Sequence, residues 1–173
     1  MHNSKPYRHL TVKTATRPKK SAPAKAGDDS LLLDRQVCFP LYAASNLLTR
    51  LYRPVLDPLG LTYSQYLVML VLWERSPASV GDLGERLHLD SGTLTPLLKR
   101  MEQGGFISRQ RDPEDERRVL ISLTAHGRDL RKAALNVPET LALKLGLDSG
   151  AVDELRDSVK ALVRILGSNN KRP

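Results

Sequence analysis

The sequence predicts a mainly α-helical chain with one small β-hairpin wing, built as a helix-turn-helix head flanked by a helical dimerisation region. Three observations lead there. A tight break at "HLDSG" separates two short amphipathic segments, two β-prone runs follow directly, and the outer segments carry more apolar surface than one small head can cover.

At 173 residues and 40% hydrophobic content, the chain suits one folded unit. No apolar run approaches the roughly 20 residues that cross a bilayer, and no secretory core stands at the N-terminus, so a cytoplasmic protein without membrane association is expected. Cys38 is the sole cysteine, which excludes an internal disulfide and any Cys-rich zinc site; neither metal nor cofactor is expected. The net charge of +8 is unevenly placed. Lys5, Arg8, Lys13, Arg17, Lys19, Lys20 and Lys25 give +7 to residues 1–27, which hold no acid; with Lys171 and Arg172 set aside, residues 28–170 stand at about −1. Residues 1–29, with Pro6, Pro18 and Pro23, read as a disordered basic tail with nonspecific attraction to polyanions; the prolines oppose an amphipathic transit helix. The folded domain is expected over 30–170, with a DNA-binding part at about 62–123 and dimerisation helices at about 31–57 and 124–168.

Leu41, Ala44, Leu48, Leu51 and Val55 recur in steps of three and four, the face of a first helix that ends near Leu56 before Asp57, Pro58 and Gly60. "TYSQ" has the form of a capping box and opens a second helix, Tyr63 to about Glu74, with Leu67, Leu70 and Val71 expected inward. Val80, Leu83 and Leu87 share a face in "SVGDLGERL". Asp90 or Ser91 then caps "GTLTPLLKRMEQGG", which buries Leu94, Leu97, Leu98 and Met101 and shows Thr93, Thr95, Lys99, Arg100 and Gln103 outward. A second helix of this kind can enter the major groove. "FISRQR" and "RVLISL", joined by "DPEDER", read as a hairpin wing. Thr124 caps a helix interrupted at Pro138, and a last helix, about Asp148 to Leu166, sets Val152, Leu155, Val159, Leu162 and Leu166 along a seam.

On the wing, Arg109, Arg111, Arg117 and Arg118 bracket Asp112, Glu114, Asp115 and Glu116. Four carboxylates repel phosphate, which suits a solvated tip; alternatively Asp115 fixes Arg117 by a charge-assisted pair, and the guanidinium enters a narrow minor groove. Lys99 and Arg100, with Thr93 and Thr95 at the helix N-terminus, suit phosphate and base contacts.

Cys38 stands at the start of the first helix, where the macrodipole favours a thiolate, and Pro40 suits a first turn. Tyr42, Tyr52, Tyr63 and Tyr66, four of five tyrosines, follow within residues 42–66. Phenols donate hydrogen bonds to a thiolate without adding charge. Tyr42, four residues on, shares the face of Cys38; Tyr52 lies about 21 Å along a continuous helix, so it reaches a thiol only from a partner whose first helix crosses antiparallel. Amphipathic filling between helices is the alternative role for each tyrosine.

The motifs "VCFPLYAASN", "LYRPVLDPLGLTYSQYLVMLVLWE", "LDSGTLTPLLKRMEQGGFISR" and "DPEDERRVLISLTAHG" resemble the MarR family of winged-helix repressors, and within it the organic hydroperoxide resistance regulators. The resemblance spans roughly residues 31–168. It implies a homodimeric repressor of a palindromic double-stranded DNA operator, released when an organic hydroperoxide oxidises Cys38. By the same resemblance Tyr42, Tyr52 and Tyr63 support the thiol, the latter two from the other subunit. It also implies that Ser91, Thr93, Lys99, Arg100 and Arg117 contact DNA; Thr95, Arg109, Arg111 and Asp115 complete the candidate DNA-binding set. Without a second cysteine the chain resembles the one-cysteine type, whose sulfenic acid is capped by a low-molecular-weight thiol or over-oxidised. Pro40 departs from the apolar or small residue usual there. Two rivals stand beside this reading: a thiol peroxidase, which lacks a thioredoxin-like βαβ pattern here, and a MarR-type regulator released by noncovalent binding of a phenolic or lipophilic ligand.

Overall fold

A computed structural model describes residues 29–169, and the chain divides between Tyr42 and Ala43 into two compact units. Apart from Asp29, the expected basic tail lies outside the described residues. In the first unit, 3-10 turns at Asp29–Leu31 and Leu33–Arg35 precede helix α1 (Cys38–Leu56). Pro40 occupies the first turn, where an amide hydrogen has no helical acceptor to lose. The helix therefore starts at the cysteine.

In the second unit α1 ends with Leu56 fully buried, and a 3-10 turn, Asp57–Leu59, reverses the chain at Gly60. Helix α2 (Tyr63–Glu74) opens with the expected capping box: the Gln65 amide donates to Thr62 Oγ1 at 3.4 Å, and the Thr62 amide donates to Gln65 Oε1 at 2.8 Å. Its buried face differs from expectation. Tyr66, Val68, Met69 and Leu72 are buried, whereas Leu67 and Val71 are half-buried and Leu70 is exposed. Because "LVMLVL" is apolar on every side, periodicity could not choose among its faces, and packing did.

A two-residue strand β1 (Ala78–Ser79) leads into α3 (Val80–Leu87), whose N-terminus carries a second capping box between Ser79 and Asp82. Asp90 then caps α4 (Ser91–Gln103), and Gly105, at φ 73°, turns the chain into β2 (Ile107–Arg111). β3 (Val119–Leu123) pairs antiparallel with β2, setting Arg109 opposite Ile121, and with β1, setting Ala78 opposite the same residue. The sheet thus has three strands in the order β1-β3-β2, where the sequence pointed to a two-stranded ribbon. Two residues are too few to show alternation.

Thr124 caps α5 (Ala125–Ala134), and α6 (Val137–Leu145) follows. The interruption lies before Pro138, not at it. A proline ring clashes with the carbonyl four residues back, here Ala134, so α5 stops there and Pro138 falls in the first turn of α6. Helix α7 (Ser149–Asn169) closes the described chain.

The core joins Leu56, Met69 and Leu72 to Leu83, Leu94, Leu98, Met101, Ile107 and Ile121, all buried. Burial of each such side chain contributes about 1.5–3 kcal/mol. This packing fixes α4 against the wing. By contrast, the expected seam on α7 stays open: Leu155, Val159 and Leu166 are exposed, and Leu48 and Tyr52 of α1 join Val152, Leu155, Val159 and Val163 around a groove of about 900 Å³. No single helix among the described residues is long and apolar enough to cross a membrane.

Candidate nucleic-acid interface and thiol site

Helix α4 presents its apolar side to the core and therefore turns Ser91, Thr93, Thr95, Lys99, Arg100 and Gln103 to solvent. The N-terminus of this helix is already occupied by the chain's own anion. Asp90 accepts the Thr93 amide at 2.8 Å and the Thr93 hydroxyl at 2.9 Å. These bonds hold its carboxyl below the ordinary value of 3.8, the amide contributing most. A charged carboxylate there repels phosphate. The Thr95 hydroxyl is engaged too, donating to the Ser91 carbonyl at 2.7 Å. The start of α4 is thus filled by the chain's own polar groups, and Lys99 and Arg100 are cations on its solvent-facing side.

The wing sorts its arginines by partner. Arg109 Nε donates to Glu102 Oε2 at 2.9 Å, and its amide donates to Glu102 Oε1 at 3.1 Å, clamping β2 to α4. Arg111 Nη1 donates to the Glu116 carbonyl at 2.8 Å across the hairpin. Both are candidate DNA contacts; the structure engages Arg109 with α4 and Arg111 within the hairpin. Arg118 lies 3.6 Å from Asp112, whose carboxylate is only 9% exposed. Asp115 accepts the Arg117 amide at 3.1 Å, not its guanidinium, so the expected side-chain pair is replaced by a tight local turn. Arg117 is exposed, and its guanidinium forms no ion pair among the described residues. The sequence counted charges but could not assign partners: Glu102, which claims Arg109, lies across a turn.

Two substitutions separate these roles. Arg117→Ala should weaken operator binding by about 1–3 kcal/mol, roughly 5- to 150-fold, with an unchanged melting temperature. Arg109→Ala should instead lower stability by about 0.5–1 kcal/mol, discounted because the pair is a third exposed. Fluorescence anisotropy on operator DNA and thermal melts distinguish them.

In the first unit, Cys38 is exposed at the opening of α1 and Tyr42 is 69% exposed. Among the described residues, no group donates a hydrogen bond to the Cys38 sulfur. In the second unit, Tyr52 and Tyr63 stand with ring centroids 4.7 Å apart, and Tyr66 joins at 5.9 Å from Tyr52. Tyr66 was counted in the tyrosine run but not singled out; its buried ring also meets Trp73 at 6.2 Å. Burial, and then the neighbouring Tyr63 and Tyr66, push the Tyr52 phenol up to about 12, and burial raises Tyr63 and Tyr66 as well. These phenols keep their protons at neutral pH and so are available as donors.

Since the folded state holds the Tyr52 proton more tightly than the unfolded chain, its contribution to stability is complete below pH 10 and is lost between 10 and about 12. Melting temperatures should fall across that window, and by less in Tyr52→Phe.

A family model described as "Transcriptional regulator SarA/Rot" matches residues 50–134. The chain is 49% identical over 138 residues to the organic hydroperoxide resistance transcriptional regulator of Bacillus subtilis, covering 80% of this chain and 92% of that protein. Among solved structures it resembles reduced AbfR bound to DNA, with TM-score 0.69, 34% identity, and coverage of 83% of this chain and 98% of that one. Overoxidized AbfR bound to DNA matches with TM-score 0.67 and 36% identity, over 83% and 99% of the two chains.

Proposed function

This chain belongs to the MarR family of winged-helix transcriptional regulators, in its organic hydroperoxide resistance branch and with one cysteine, and from that premise we propose that it is a dimeric repressor switched by oxidation of Cys38. The observation that carries the reading is the exposed thiol at the first turn of α1, where an oxidant has access. The thiolate attacks the terminal peroxide oxygen; the O–O bond breaks, Cys38 becomes a sulfenic acid, and the leaving alkoxide takes a proton from water to become an alcohol. A low-molecular-weight thiol then condenses with the sulfenic acid, forming a mixed disulfide and water.

The un-ionised phenols of Tyr52 and Tyr63 support the reading, because they are donors suited to a partner's thiolate, and Tyr42 lies one turn from Cys38 on its own helix. The open apolar groove between α1 and α7 suits a second copy of the chain. Ser91, Thr93, Lys99 and Arg100 would face the major groove, with Arg117 in the minor groove. Since a dimer must span half-sites about 34 Å apart, a small rotation of the heads loses one of them. AbfR has been solved on DNA in an overoxidized form, which favours a bulky adduct over added oxygen as the releasing event here.

A sensor reacts once. With cumene hydroperoxide and a small thiol, peroxide consumption should end after about one equivalent per subunit; sustained turnover would favour the thiol peroxidase instead.

A further inference from the structure

We infer that Pro96 reads a base: its ring meets the C5-methyl group of a thymine in the major groove, so each half-site of the operator carries a thymine at that place. This rests on the reading of the chain as a DNA-binding regulator. Two observations carry it. The first is the direction in which α4 faces. Leu94, Leu97, Leu98 and Met101 are buried, and successive helical residues turn by about 100°, so the stripe directly opposite the core is Gly92, Pro96, Lys99 and Gln103, all exposed. Thr95 and Arg100 lie about 70° to either side of its centre. A recognition helix laid into the groove by its outer face brings the central stripe to the base edges and its flanks toward the phosphates.

The second is the chemistry of that stripe. Pro96 has no amide hydrogen, so the carbonyl of Gly92, four residues back, loses its helical donor. The ring is exposed and stands outside the buried core. A proline here weakens the helix with no packing to offset it, and a local rule broken in this way marks a functional contact. Gly92, without a side chain, leaves the ring unscreened. The neighbouring hydroxyls are engaged within the chain, Thr93 donating to Asp90 at 2.9 Å and Thr95 to the Ser91 carbonyl at 2.7 Å. Around Pro96, α4 therefore presents methyl groups and a proline ring to DNA. Among the four bases only thymine shows an apolar group in the major groove, so thymine is the base this surface fits.

The test starts from the palindromic duplex that the reduced full chain enriches from a randomised pool. Thymines are replaced by deoxyuridine in symmetric pairs, which removes one methyl group per half-site and leaves base pairing intact, and affinity is read by fluorescence anisotropy. At one pair the replacement should weaken binding about fourfold per half-site, about 15-fold in all. Pro96→Ser should bind the thymine and uracil duplexes alike at that pair. Its melting temperature should not fall, because serine restores an amide donor to the Gly92 carbonyl. Enriched half-sites without thymine, or a Pro96→Ser chain that keeps the parent's preference, would overturn the proposal. A parent that binds the enriched duplex tightly yet ignores uracil at every pair would overturn it as well, and would leave the DNA-binding reading standing. If the parent enriches no duplex, that reading fails, and this inference with it.

Discussion

Cys38→Ser should bind operator DNA as tightly as the parent and remain bound at peroxide concentrations that release the parent completely. Replacing sulfur by oxygen changes one atom at an exposed position, so packing and the DNA-reading surface are left alone. What disappears is the nucleophile, because a serine hydroxyl is neither ionised near neutrality nor able to form a sulfenic acid. The expected effect is all or none. A gel shift with cumene hydroperoxide and a small thiol reads it directly, and a variant still released by peroxide would turn the account toward a noncovalent ligand.

Gly127→Ala should lower stability by about 3 kcal/mol or more, with a melting temperature about 6–12 °C below the parent. A Cβ at this position would lie 2.1 Å from the Phe106 carbonyl oxygen and 3.3 Å from Leu123 Cδ2. Neither neighbour can yield cheaply. The Phe106 carbonyl accepts the Thr124 amide at 3.1 Å, and the Gly127 carbonyl accepts Trp73 Nε1 at 2.9 Å, so α5 is fixed to the root of the wing and to α2 together. Gly81→Ala is the control. Its Cβ would meet only Ser79 Oγ at 3.7 Å, so removing glycine's excess chain entropy from a helix should stabilise by about 0.5–1 kcal/mol.

Caps and breakers act locally, so Thr62 with Gln65, Thr124, and the turn between α3 and α4 were legible in the sequence, and with them the winged helix. The close approach of Gly127 to Phe106 was not, because it joins residues 21 apart through the packing of two elements. The same limit hid the clamp of Arg109 by Glu102 and the use of Asp115 by a backbone amide. Charge patterning showed that arginines and carboxylates mix on the wing; only geometry showed that Arg117 is the wing arginine whose guanidinium takes no partner among the described residues. Similarly, the tyrosine run pointed to a cluster, while the place of Tyr66 within it depended on which face of an all-apolar helix became buried.

The central claim is that covalent change at one sulfur drives release. Its most direct test measures intact mass and operator occupancy on the same samples during a cumene hydroperoxide titration in the presence of a small thiol. The fraction of protein off DNA should rise in step with the fraction carrying a mixed disulfide on Cys38, and a reductant should restore both. Release from DNA while Cys38 remains unmodified would contradict the account.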